Sequence, residues 1–204
     1  MFHAAARNFA SSNCPLTMRL LLNNRRCFSF SYPAPRTLGE ITNLPLLELE
    51  ESSAVKKIWE SHHNNQETAV ATTLLEEEFS TVLLRAESSP FFIFPVKRES
   101  GHFILLSQAQ GKHFLYTFLE DYKTNPDTAT PYLSLTFYDD FLVNKGLGLV
   151  RGDFSEMITK PEAQTLLQVT TNLYLNQYEE IDRFNNRPGE FNFERYIEKS
   201  LEGK

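Results

Sequence analysis

Cysteine is almost absent from this chain of 204 residues: Cys14 and Cys27 are the only two, and both precede Ser29. From Ser29 onward there is no thiol. That excludes a disulfide framework, a cysteine nucleophile, cysteine-ligated zinc and an iron–sulfur cluster from the rest of the chain. No apolar run reaches the roughly 18–20 residues that cross a bilayer, so no membrane span is expected. Basic residues are the minority, 20 Lys+Arg against 26 Asp+Glu. A net charge of −6 argues against nucleic acid, whose binders present a basic face.

Acidic residues are missing altogether until Glu40. Ahead of it stand Arg7, Arg19, Arg25, Arg26 and Arg36 and no lysine, so residues 1–36 carry +5. The remainder holds 15 basic and 26 acidic groups, a net of −11. Arginine-rich, acid-free and serine-containing, with Leu20-Leu21-Leu22 between basic residues, residues 1–36 read as a mitochondrial transit peptide. Arg26 lies three positions before Ser29, which places processing near 28/29. Import to the matrix is expected, with residues 37–204 forming a single domain.

Within that domain, Thr37-Leu38-Gly39-Glu40 has the form of a capping box, opening a short helix that stops before Pro45. Val55, Ile58, Trp59 and His62 keep helical spacing and predict a helix over 54–63. A short strand is expected over Thr68–Thr72. Leu75, Phe79, Val82, Leu83 and Ala86 predict another helix, with Glu76-Glu77-Glu78 at the positive end of its dipole.

The middle of the chain changes period. Phe91–Lys97, His102–Gln108, Lys112–Asp121, Tyr132–Tyr138 and Gly146–Arg151 read as strands separated by turn signals. Their short connections predict antiparallel neighbours. A long helix is expected after Pro161, extending through Tyr174 to Tyr178, and a last one over about Asn192–Leu201. The fold class is therefore α+β: an antiparallel or mixed sheet of about five to six strands flanked by N- and C-terminal helices.

Chemical motifs fail one by one. Gly111-Lys112 imitates a phosphate loop, but Leu106 stands where its first glycine is needed and His113 follows the lysine. Gly146-Leu147-Gly148-Leu149-Val150-Arg151-Gly152 imitates a dinucleotide fingerprint, yet it leads into a strand instead of following one. His62-His63 point about 100° apart on a helix, and His102 and His113 are offset across a hairpin. No catalytic, cofactor or metal residues are assigned, and an enzyme is disfavoured.

What is abundant is aromatic surface. Phe91, Phe92 and Phe94 crowd one segment, and Phe114, Tyr116 and Phe118 share one strand face while Leu115 and Thr117 share the other. Two apolar faces leave two readings. The sheet is covered on both sides by its own helices, or part of it meets an apolar partner. The six aromatics are the candidate partner-binding residues.

Several segments in order carry a resemblance. They are Ser89-Pro90-Phe91-Phe92-Ile93-Phe94-Pro95-Val96-Lys97-Arg98, Gly101-His102-Phe103, Gln108-Ala109-Gln110-Gly111, Ala129-Thr130-Pro131-Tyr132-Leu133, Phe137-Tyr138-Asp139-Asp140 and Lys145 through Gly152. With Thr37–Ile41 and Ile58–His63 they resemble the family of mitochondrial assembly factors that attend the β subunit of the ATP synthase catalytic head. Ala109 and Phe137 depart from that pattern, where the family often carries an aromatic and a histidine. The resemblance implies a soluble matrix chaperone without cofactor, and a monomer is expected. It would hold the unassembled β subunit until an α subunit displaces it. The alternative is a small matrix enzyme or ligand-binding domain with a pocket of Phe114, Tyr116, Phe118 and Asp139.

Overall fold

The computed structural model describes residues 35–126 and 128–202. The transit-peptide reading, with Cys14, Cys27 and Ser29, lies outside the described residues. Short helices α1 (Leu38–Ile41) and α2 (Leu44–Glu48) lead into α3 (Ser52–Asn64), β1 (Ala69–Leu75) and α4 (Glu76–Ser88). Then come β2 (Phe91–Arg98), β3 (Gly101–Gln110), β4 (His113–Phe118), α5 (Leu119–Thr124), β5 (Pro131–Tyr138), α6 (Leu142–Lys145) and β6 (Leu147–Phe154). Helices α7 (Lys160–Asn176), α8 (Tyr178–Asn186) and α9 (Phe193–Glu202) close the chain.

The six strands form one antiparallel sheet in the order β1-β6-β5-β4-β3-β2. Strands β2 to β6 are a meander, as their short connections predict. Strand β1 joins the far edge by pairing with β6, Val70 opposite Gly152 and Leu74 opposite Gly148. Helix α4 carries the chain from one sheet edge to the other.

Side chains alternate along each strand, so the sheet has two faces and each has its own core. One face gathers Val70, Phe92, Phe94, Phe114, Tyr116, Phe137 and Val150 under α4, α7 and α8. The opposite face gathers Ala71, Tyr138, Leu147 and Leu149 under Leu38, Leu47, Val55 and Trp59 of α1–α3. The glycines of the false dinucleotide motif belong to this packing. Gly146 ends α6 at φ 62°, in the left-handed region that favours glycine. A Cβ on Gly148 would stand 2.1 Å from the Phe79 ring, so only hydrogen lets α4 lie against β6.

Differences from expectation are local. The Lys112–Asp121 strand ends at Phe118, and Leu119–Thr124 turns into α5. The first helix stops before Pro45 as expected, at Ile41, but Pro45 itself sits in the first turn of a further short helix, α2. The long C-terminal helix breaks at Gln177, where α7 gives way to α8.

Candidate functional site

The six aromatics separate sharply. Phe92, Phe94, Phe114 and Tyr116 are fully buried beneath the helices. Tyr116 packs edge-on to Phe94, centroids 5.3 Å apart, and Phe114 edge-on to Tyr174 at 5.4 Å. The Thr170 hydroxyl donates to the Leu166 carbonyl, so the Tyr116 hydroxyl donates to Thr170 Oγ1 at 2.6 Å. Burial holds the Tyr116 phenol well above its ordinary pKa.

Those four are out of a partner's reach in the folded chain. Phe91 and Phe118 are half-buried and remain accessible. Phe118 stacks on Tyr132 and meets Phe103, over which the Arg98 guanidinium lies at 4.6 Å. Phe91 is tied by its backbone to Asn185, which accepts from Phe91 N at 3.0 Å and donates to its carbonyl at 2.6 Å. The alternative pocket of Phe114, Tyr116, Phe118 and Asp139 does not form: Asp139 is exposed and pairs with Lys112, while Phe114 and Tyr116 are core.

A cleft that the sequence reading missed lies at the N-terminal helices. Its volume is about 410 Å³, between α1–α2 on one side and α3 on the other. Ile41, Leu46, Leu49 and Ile58 form its walls and Trp59 its floor. Leu49 is 83% exposed, Leu46 60% and Ile58 45%. Isolated exposed leucines are ordinary on a protein surface, but three large apolar side chains lining one concavity are not.

Local chemistry holds this cleft open. Thr37 caps α1 through Glu40, whose carboxylate accepts from the Thr37 amide at 2.6 Å and hydroxyl at 2.8 Å. The Lys145 ammonium donates to the carbonyls of Glu48 at 2.9 Å and Glu50 at 2.6 Å, and the Ser52 hydroxyl donates back to the Lys145 carbonyl. This clamp fixes the α2–α3 turn on the β5–β6 connection. The indole N–H of Trp59 donates to the Val150 carbonyl at 3.1 Å, anchoring α3 to the sheet.

Behind the floor is a buried polar chain. Arg151 grips Asp153 through Nε and Nη2 and donates from Nη1 to His63 Nδ1 at 2.8 Å. A guanidinium only donates, so Nδ1 accepts and the His63 proton sits on Nε2. That Nε2 is buried with no hydrogen-bond partner among the described residues. Burial first and the Arg151 charge second push the His63 pKa down to about 4.

The sign follows. Between about pH 6.5 and 4 the unfolded chain binds a proton that the folded chain refuses, so His63 favours the native state above pH 6.5. That contribution, up to about 3 kcal/mol, is lost as pH falls through this window and does not change further below it. Urea midpoints followed by the emission of Trp59, the one tryptophan, should therefore drop more steeply from pH 7 to 4 in the native sequence than in His63→Gln. Parallel slopes would mean that His63 titrates normally.

A family model described as ATP11 protein matches residues 24–197. The chain belongs to the ATP11 protein family. A mouse relative named ATP synthase mitochondrial F1 complex assembly factor 1 is 26% identical over 170 residues, covering 81% of this chain and 52% of its own length. The human protein of the same name is 26% identical over 163 residues, covering 78% and 49%. This ATP11-family chain thus spans about half the length of the curated relatives it matches. Among its described residues no helix is long and apolar enough to cross a membrane, and no group of three or more His, Cys, Asp or Glu is placed to hold a metal ion.

Proposed function

We propose that this protein is a matrix chaperone for assembly of the F1 head of the mitochondrial ATP synthase, holding the unassembled β subunit until an α subunit displaces it. The observation that carries this reading is the family match over residues 24–197 together with relatives named as F1 complex assembly factors. Residues 1–36 serve as the transit peptide, cleaved near 28/29, and the mature protein works as a monomer.

The mechanism is mass action. An unassembled subunit exposes apolar surface that aggregates, and a protein bound to that surface lowers its free concentration. Release needs only a competitor with higher affinity for the same surface, so neither catalysis nor nucleotide is required. The accessible apolar features suited to such contact are the α1–α3 cleft and, separately, the half-buried rings of Phe91 and Phe118.

Unfolded β subunit diluted into buffer should stay in solution when an equimolar amount of this protein is present. Native α subunit should then release it. Unchanged aggregation, or release by ATP in place of α, overturns the proposal. Copurification of a bound small molecule without any synthase subunit supports the enzyme reading instead.

A further inference from the structure

We infer that the cleft between α1–α2 and α3 is the docking site for a short amphipathic helix with a basic flank, presented by the client. This rests on the chaperone reading and names the part of the client that is gripped. Three observations converge on it.

The first is shape and surface. Leu46, Leu49 and Ile58 are exposed around one cleft of about 410 Å³, which suits the i, i+3 or i+4 anchors of a single helix. A flat sheet or a whole domain would not reach its floor at Trp59.

The second is backbone satisfaction. The α3 wall is a 13-residue helix bonded internally, and around α2 the amides of Leu46, Leu47, Leu49 and Glu50 already donate to the local carbonyls of Asn43, Leu46 and Leu47, so neither wall presents an extended ladder to an incoming strand. Recognition must run through side chains, which favours a helix over β-augmentation.

The third is charge. Glu50 lines the cleft, and Glu48 and Glu51 are exposed beside it. None of these three carboxylates makes an ion pair among the described residues. The Lys145 ammonium, held by the backbone carbonyls of Glu48 and Glu50, offsets one of these three charges and leaves the rim net acidic. Lysine or arginine flanking the client's apolar stripe would complete the rim, and an acidic helix would be repelled. The same clamp holds the cleft in shape before anything binds, which lowers the ordering cost of association.

The test uses the full chain. The double variant Leu49→Asp/Ile58→Asp changes one exposed and one half-exposed side chain, so its thermal midpoint should fall by only a few degrees, and capture is read per folded molecule. Its capture of β subunit should fall at least tenfold. Glu50→Lys should weaken capture at low salt, and the difference from the native chain should close as ionic strength rises.

A photo-crosslinker on Leu46→Cys, in a chain carrying Cys14→Ser and Cys27→Ser, should label a client segment that is helical in the assembled subunit and flanked by Lys or Arg. Full protection of β subunit by the double variant overturns the cleft while the chaperone reading stands. Failure of the native chain to protect β subunit overturns the chaperone reading itself. Crosslinks to a second copy of this chain, to an extended segment or to an acidic helix each overturn the assignment.

Discussion

Tyr116→Ala should lower the stability of the protein by about 3–5 kcal/mol without a matching loss of client capture per folded molecule. The ring is completely buried between Phe94 and α7, so its loss leaves a cavity in the first core. For a domain of this size the thermal midpoint should fall by roughly 10 °C. Tyr116→Phe separates packing from hydrogen bonding. It keeps the ring and removes the hydroxyl that Thr170 Oγ1 accepts, which costs about 1 kcal/mol. Calorimetry and client capture measured on both variants decide the matter. Capture lost at an unchanged midpoint would put Tyr116 on the client surface and contradict its place in the core.

The aromatic excess that the sequence displays is real, but its meaning depends on coverage. Alternation puts Phe114 and Tyr116 on one face and Leu115 and Thr117 on the other, and both sides of the sheet are in fact buried at β4. Nothing in strand periodicity tells whether the cover is a helix of the same chain or a partner. Only the docking of α7 decides it for Phe114 and Tyr116, through Tyr174 and Thr170.

The strands of the meander were legible because turn residues and short connections force neighbours to be antiparallel. Pairing of β1 with β6 was not. It joins segments far apart in sequence, and the close approach at Gly148 and Gly152 is visible only once Phe79 and Val70 are placed against them. The break between α7 and α8 also comes from tertiary structure. No proline or glycine marks Gln177; instead Arg85 of α4 donates to the carbonyls of Tyr174 and Leu175, satisfying the end of α7 from outside.

The cleft has no signature in the sequence for a related reason. Taking Pro45 as a stop leaves Leu44, Leu46, Leu47 and Leu49 without a periodic structure. Once Pro45 is the N-terminal turn of α2, Leu47 is buried and Leu44 packs partly against the same core, while Leu46 and Leu49 are left in water. The family resemblance, carried by many short segments in order, reached further toward function than any single motif.

Trp59 joins the two halves of the molecule's behaviour, because it is both core and cleft floor. Its ring is 1% exposed, lies edge-on to His63 at 4.1 Å and to Tyr138 at 5.9 Å, and its N–H holds the Val150 carbonyl. Trp59→Ala should cost about 3–5 kcal/mol, since it empties the largest side chain from the second core. It should also abolish client capture, because a docked helix would lose the surface its deepest anchor rests on.

Trp59→Phe keeps most of the apolar floor and gives up the hydrogen bond, leaving the buried Val150 carbonyl short of a donor at a cost of about 1–3 kcal/mol. If the cleft grips by apolar contact, the phenylalanine variant should retain capture at temperatures where it is folded, and the alanine variant should fail even there. Equal capture by both variants, normalised to the folded fraction, would show that the client never reaches the floor. The contact would then have to lie on Leu46 and Leu49 at the rim, or on the half-buried rings of Phe91 or Phe118.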